Sequence, residues 1–175
     1  MLRLFFAQAV DAHTLLQYAA GRTWGMEALP VLERASGGKP FFPRHPEQQF
    51  NLSHSGPYAL CALSSREVGA DIEVIRPRCA SLPQKVLSAA EFVWFQARGS
   101  RWEDFYTLWT LKEARVKYTG TGLILPPRDI AVPLLSPGES AALDGLIFTA
   151  YAGTDWRAAL CALEPGPLIE CVGDS

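Results

Sequence analysis

The sequence predicts an α+β fold made of two similar halves packed against each other within one chain, an intramolecular pseudo-dimer. Two observations carry this reading. Short runs with strand alternation, or wholly apolar, are interspersed with amphipathic segments of helical spacing. The pentapeptide Ala59-Leu60-Cys61-Ala62-Leu63 also returns letter for letter as Ala159-Leu160-Cys161-Ala162-Leu163. Each copy closes a block in which a helix precedes strands, which divides the chain into halves of about residues 1–66 and 67–175. A length of 175 residues suits a single domain. Hydrophobic residues at 49% and charged ones at 19% supply an ordinary buried core.

Taken in order, residues 2–6 read as a strand. The same start ends in Ala-Gln-Ala, as a secretory leader can, but its apolar run is shorter than the roughly 7–15 residues such a leader needs. Asp11 caps a helix through Leu15, Leu16, Ala19 and Ala20, with Gly21 as its stop. Residues 24–32 continue with helical tendency until Ser36-Gly37-Gly38-Lys39-Pro40 breaks the pattern. Lys39 sits in a loop whose glycines let a ligand approach; a solvated lysine in a plain turn fits equally. Phe50-Asn51-Leu52-Ser53-His54-Ser55-Gly56 then leads into a strand over 58–63. Its short polar side chains either cap a turn or seat phosphate oxygens, with His54 as a further donor. Residues 68–74 form a strand that points Ala70, Ile72 and Val74 one way and Asp71 and Glu73 the other. Ser88 and Glu91 make a capping box for the next helix, which accounts for Glu91 without any catalytic role. Residues 98–101 turn into a long helix that ends at Gly120-Thr121-Gly122-Leu123, and Pro126-Pro127 extends the exit. Segments 130–135, 146–151 and 156–163 read as strands joined by turns containing glycine and aspartate.

Two of these elements carry unusual charge. Along the long helix, Phe105, Leu108, Trp109 and Val116 mark an apolar face, and Lys112 and Glu113 take the next two places on it. Inward charges are costly unless paired or bound to a metal, whereas on an exposed helix Glu113 would simply pair with Lys117. Asp71 and Glu73 share a strand face and repel unless a cation lies between them. Oxygen ligands of this kind suit Mg²⁺; the solvent face of an edge strand is the alternative. A net charge of −2 lacks the basic footprint of a nucleic-acid binder, and no apolar run is long enough to cross a membrane. The four cysteines have no Cys-x-x-Cys spacing, and Cys61 and Cys161 lie in apolar runs. That pattern predicts reduced thiols in a cytoplasmic protein.

In register, Gly38-Lys39-Pro40, Phe50 to Ser55, Gly69-Ala70-Asp71-Ile72-Glu73 and Trp109-x-x-Lys112-Glu113-Ala114-x-x-Lys117 resemble the 4'-phosphopantetheinyl transferases of the Sfp type. The resemblance extends from about residue 11 to about residue 163 and includes the pseudo-twofold fold of that family. It implies transfer of phosphopantetheine from coenzyme A to a serine of an apo acyl or peptidyl carrier protein, with release of 3',5'-ADP. Residue by residue, it makes Asp71, Glu73 and Glu113 the Mg²⁺ ligands. Lys117, Ser53 and His54 become phosphate contacts, Lys39 a loop lysine near the nucleotide, and Glu91 a general base, with Lys112 beside the catalytic Glu113. The resemblance also implies a monomer, since both halves lie in one chain. One stretch departs from it. Phe6-Ala7-Gln8-Ala9-Val10 lacks the basic residues that hold the 3'-phosphate in the family, which leaves that phosphate to a weaker grip or to Arg3, Arg22 or Arg44. Arg76, Arg78 and Lys85 are candidates to meet an acidic carrier, or belong to a solvated loop. A coenzyme A or nucleotide-binding module without catalysis, and a Mg²⁺-dependent phosphodiesterase, are the rival functions.

Overall fold

The two copies of the repeated pentapeptide lie on inner strands of two separate sheets. In the computed structural model, which describes residues 1–122 and 124–173, the first sheet has the order β10 (Ile169–Val172), β1 (Leu2–Gln8), β5 (Tyr58–Ser64), β4 (Gln49–Ser55). The second has the order β6 (Gly69–Val74), β9 (Trp156–Ala162), β8 (Leu146–Ala152), β7 (Ser140–Leu143). The chain is thus α+β as its pattern predicts. Leu60 and Ala62 of one copy meet Leu160 and Ala162 of the other in the core between the sheets. Ala59 and Cys61 turn the opposite way, against helix α1 (Ala12–Trp24), and Ala159 and Cys161 against helix α4 (Trp102–Thr119). Period-two alternation on a strand buried on both faces produces this four-layer stack, helix on sheet on sheet on helix. β10 pairs in parallel with β1, so residues near the end of the chain complete the first sheet.

Asp11 caps α1 as expected, its carboxylate accepting the backbone N–H groups of His13 and Thr14. The helix does not stop at Gly21. It runs one turn further and ends at Gly25, which supplies the left-handed conformation (φ 70°) that Gly21 does not adopt. Residues 25–32 are consequently not helical. A short ribbon follows, β2 (Glu33–Arg34) against β3 (Pro40–Phe41), which frames the glycine loop. The stretch around Ser53 is itself a strand, β4, joined to β5 by the two-residue turn Gly56-Pro57. Two short helices that bridge to α4, α2 (Leu82–Val86) and α3 (Ala89–Ala97), include one in the segment read as loop. The capping box of Ser88 and Glu91 is formed in full. Residues 130–135 pair with no strand among the described residues. Pro133 lacks the N–H a ladder needs, so Ile130, Val132 and Leu135 are buried by packing alone. β7 and β10 are further strands that the pattern did not single out. Leu123 lies outside the described residues.

β4 and β6 face each other across the two sheets, yet no backbone ladder joins them. The N–H groups of Ala70, Ile72 and Val74 donate instead to side-chain oxygens of Asn51 (2.9 Å), Ser53 (3.2 Å) and Ser55 (3.1 Å). Both series step by two residues, so one face of β4 satisfies every outward N–H of that β6 segment. On its other side β6 lies directly under α4. A Cβ built on Gly69 would stand 2.0 Å from the Ala114 carbonyl oxygen and 2.3 Å from the Tyr118 nitrogen. Only glycine allows this approach. Gly69→Val should therefore destabilise the protein by about 2–4 kcal/mol through overpacking. Urea denaturation should show a lower midpoint, and an unchanged midpoint would mean that helix and strand can separate freely.

Candidate active site

The close approach of α4 to β6 brings together the charges of two distant segments. Asp71 lies almost wholly buried. Its Oδ1 accepts from Lys117 Nζ at 2.7 Å and from Ser53 Oγ at 2.8 Å. Ser53 Oγ also accepts from Lys117 Nζ at 2.9 Å and from the Ile72 N–H, which fills its hydrogen-bonding capacity. One strand position further, Ser55 Oγ donates to Glu73 Oε2 at 2.7 Å. Glu113, one helical turn before Lys117, has no hydrogen-bond or ion-pair partner among the described residues. Burial, followed by the negative charges of Asp71 and Glu73, raises its carboxyl pKa to about 7, against the opposing pull of Lys117. The Asp71 carboxyl also lies above the usual carboxylate range, because burial outweighs Lys117 and Ser53. Asp71, Glu73, Glu113, Lys117 and Ser53 form one cluster.

Among the described residues no three acidic, histidine or cysteine side chains already converge as a closed metal cage. The donor set nevertheless fits a divalent cation. Asp71 Oδ2 is buried without any partner among the described residues, and the Glu113 carboxyl is pushed upward by burial and then by two neighbouring carboxylates. Hard oxygen ligands of this kind suit Mg²⁺.

Beside the cluster is a groove of about 250 Å³ lined by Arg34, Gly37, Gly38, Lys39, Asn51 and Lys117, among others. The glycine loop rests on the end of α4, where a Cβ on Gly37 would meet the Gly120 carbonyl oxygen at 1.7 Å. Lys39 Nζ donates to Glu67 at 2.7 Å and to the Val68 carbonyl at 3.0 Å. Lys39 and Lys117 thus reach one groove from opposite ends of the sequence.

Other expected residues separate. Ser53 and His54 are neighbours on a strand, so they point to opposite faces: Ser53 is buried in the cluster, while His54 is exposed and does not line the groove. Lys112 and Glu113 do not share a face either. Lys112, 1% exposed, donates to Glu91 Oε1 and to the Ile130 carbonyl, both at 2.7 Å. Glu91 Oε2 accepts the Ser88 N–H at 2.7 Å, so both carboxylate oxygens are engaged. The pair ties α3, α4 and the proline-rich segment together. Burial lowers the Lys112 pKa despite Glu91.

Arg3 is withdrawn from any ligand role by Glu170 (2.7 Å), the Arg22 carbonyl and Thr23. Arg22 and Arg44 do not line the groove. Arg78 donates to the Tyr106 hydroxyl at 3.4 Å. Sequence reasoning passed over Arg34, and also the bridging roles of Asn51 and Ser55. The alternating polar positions 51, 53 and 55, matched in step with 71 and 73, are a signal for the bridge.

A family model described as the 4'-phosphopantetheinyl transferase superfamily matches residues 67–161. A 4'-phosphopantetheinyl transferase of Bacillus subtilis is 33% identical over 175 aligned residues, covering 91% of this chain and 78% of the relative. Sfp of Bacillus subtilis strain 168, also named a 4'-phosphopantetheinyl transferase, is 33% identical over 136 residues, 73% of this chain and 61% of its own. The transferase AcpT of Salmonella typhimurium is 38% identical over 122 residues, 65% of this chain and 64% of its own. The chain spans less than two thirds of these last two relatives. It belongs to the 4'-phosphopantetheinyl transferase superfamily, a family of transferases, as its motifs led us to expect.

Glu91→Gln should cost about 3–5 kcal/mol by leaving the Lys112 charge buried and unpaired, and the double change Glu91→Gln with Lys112→Met should cost less than the sum of the singles. Additive losses in denaturant titrations would show that the two side chains are not coupled. The folded protein also holds the Glu113 proton more tightly than the unfolded chain does, with a pKa of about 7 against 4.5. That contribution is complete below the unfolded value and is lost as pH rises through the folded one. In chelator, Glu113→Gln should flatten this loss and stabilise the protein at about pH 8 by on the order of 1 kcal/mol, a figure reduced for solvent screening of the half-buried side chain. An unchanged pH dependence would place the proton elsewhere.

Proposed function

We propose that the chain transfers the 4'-phosphopantetheine group of coenzyme A to a serine of an apo acyl or peptidyl carrier protein and releases 3',5'-ADP. The observation that carries this reading is the cluster itself: three carboxylates on two elements, one of them with a buried unpartnered oxygen, set beside a groove that holds cations. Asp71, Glu73 and Glu113 would hold Mg²⁺. When bound, the ion would supply electrostatic neutralisation of the coenzyme's pyrophosphate. Lys117 adds a donor at the same place, held in position by Asp71 and Ser53. Lys39 contributes from the loop. Phosphate oxygens drawn to this end orient the phosphorus nearest the pantetheine arm for attack and stabilise the charge that passes to the nucleotide.

The carrier serine must give up a proton. Glu91 is poorly placed to take it, since both of its oxygens already accept hydrogen bonds within the fold. Glu113 accepts no hydrogen bond among the described residues, and although its carboxylate would also ligate the cation, we assign the proton to it through a water. An acidic carrier would approach over the groove of about 280 Å³ lined by Glu73, Arg78, Leu82, Val86, Phe105 and Trp109, which adjoins the carboxylates and offers both cationic and apolar contacts. A single chain supplies all these residues, so a monomer acts alone. No described helix is long and apolar enough to cross a membrane. The buried thiols of Cys61 and Cys161 lie in separate cores and suit the reducing cytoplasm.

The test is intact-mass spectrometry of apo carrier proteins incubated with this protein, coenzyme A and magnesium chloride. A gain of one phosphopantetheine is expected. It should vanish with chelator and fall at least about a hundredfold in rate with Glu113→Gln, as loss of a principal electrostatic contact does. Coenzyme A breakdown without carrier modification would instead indicate a phosphodiesterase. Binding without either reaction would indicate a non-catalytic module.

A further inference from the structure

Arg115, on α4 between Glu113 and Lys117, holds the segment that follows the helix. Its Nη1 donates to the Ala131 carbonyl at 2.6 Å, next to the Ile130 carbonyl that Lys112 engages. Its Nη2 donates to Asp144 Oδ2 at 2.7 Å, which makes an ion pair. Asp144 and Gly145 form the two-residue turn between β7 and β8, both in the left-handed conformation (φ 53° and 76°), so the carboxylate rides on a tight hairpin. Arg115 therefore latches three parts of the chain together: α4, residues 124–131 and the β7–β8 turn. The helical period turns it away from the carboxylate cluster, to which Glu113 and Lys117 belong. The latch bounds a cavity of about 500 Å³ whose lining includes Val116, Ile124, Leu125 and Ile130. Val116 and Gly122 line both this cavity and the groove beside the cluster, whereas Arg115 and Asp144 line the cavity alone. The two spaces adjoin, and the ion pair stands on the side away from the groove.

Resting on the proposed transfer from coenzyme A, we propose that Arg115 is a specificity-determining residue: latched to Asp144 and Ala131, it limits the length of an acyl group carried on the coenzyme's sulfur. The arm that leaves the phosphorus beside the cluster is an uncharged amide chain that ends in this sulfur. An apolar space next to the groove, of a volume ordinary for small-molecule sites, suits such a chain. A short acyl group adds little to it. A long apolar tail must reach the ion pair, where it either parts the two charges or strips them of water, and both are unfavourable. The reaction is the same for every donor. The bond from serine oxygen to phosphorus forms as the phosphoanhydride bond breaks, and 3',5'-ADP leaves with the electron pair. The serine proton goes to Glu113 through a water, and the thioester is untouched. Arg115 acts only on which donor can be seated.

The experiment measures, by intact mass, transfer by the full chain to apo carrier proteins in magnesium chloride. Coenzyme A competes in equimolar mixtures with acetyl-, octanoyl- or dodecanoyl-coenzyme A. Each donor leaves its own mass on the carrier, so one spectrum gives the ratio of acyl to free transfer. In wild type the acetyl ratio should lie within about threefold of unity, and the dodecanoyl ratio at least about tenfold below it. Arg115→Leu should raise the dodecanoyl ratio about tenfold, and Arg115→Lys, which can still pair with Asp144, should keep it low. Asp144→Asn should raise it by less, because the Ala131 carbonyl still holds the guanidinium. Asp144 is exposed and asparagine tolerates its left-handed backbone, so this variant reads the same ratio should Arg115→Leu fail to fold. An unchanged ratio in the variants, a wild type that takes all donors equally, or an equal fall with every donor overturns the assignment of Arg115 while the transferase reading stands. No transfer from any donor to any carrier overturns that reading, and with it this proposal.

Discussion

The arrangement depends on how the outer edge of β6 is satisfied. An open strand edge must place its N–H groups on something, and a backbone ladder to a neighbouring strand is the usual answer. Here side-chain oxygens of Asn51, Ser53 and Ser55 replace that ladder. The substitution leaves the two sheets joined but not continuous. It also brings two of those same hydroxyls to the carboxylates of Asp71 and Glu73, so the bond that joins the layers also orients the cluster. A conventional ladder would have left those oxygens no reason to be there.

The opposite side of β6 is constrained just as firmly. Because Gly69 has no side chain, α4 lies against the strand at Ala114 and Tyr118, and the helical period then sends Glu113 and Lys117 toward Asp71. Lys112, rotated by about 100° along the helix, goes elsewhere. One pair of adjacent charges is thereby divided between two tasks. Lys112 and Glu91 neutralise each other within the core and tie three segments together. Glu113 stays without a partner among the described residues, and burial together with the two neighbouring carboxylates raises its pKa. A fold that held every charge in a closed pair would be more comfortable and less capable.

Much of this was legible beforehand. Asp71 and Glu73 sit one strand period apart, Glu113 and Lys117 one helical turn apart, and the two copies of Ala-Leu-Cys-Ala-Leu take matching places on inner strands. Such local periods survive folding because they follow from backbone geometry. What was misread depended on neighbours. Gly21 looks like a helix stop, but Gly25 is the residue that adopts the left-handed cap. Segment 130–135 has the apolar spacing of a strand but lies where no edge is offered to it.

By itself the sequence determined the class of fold, the family through its ordered motifs, and the identity of the charged residues, since each rests on composition, period or spacing along the chain. Tertiary structure decided which of those charges meet. It set Glu91 against Lys112 rather than at the cluster, withdrew Arg3 to Glu170, and brought Arg34 into the groove with Lys39 and Lys117. The physical reason is that ion pairing and desolvation depend on distances in space of a few ångströms. Residues 18 to 167 apart in the chain reach those distances only once the sheets, the ribbon and α4 have packed.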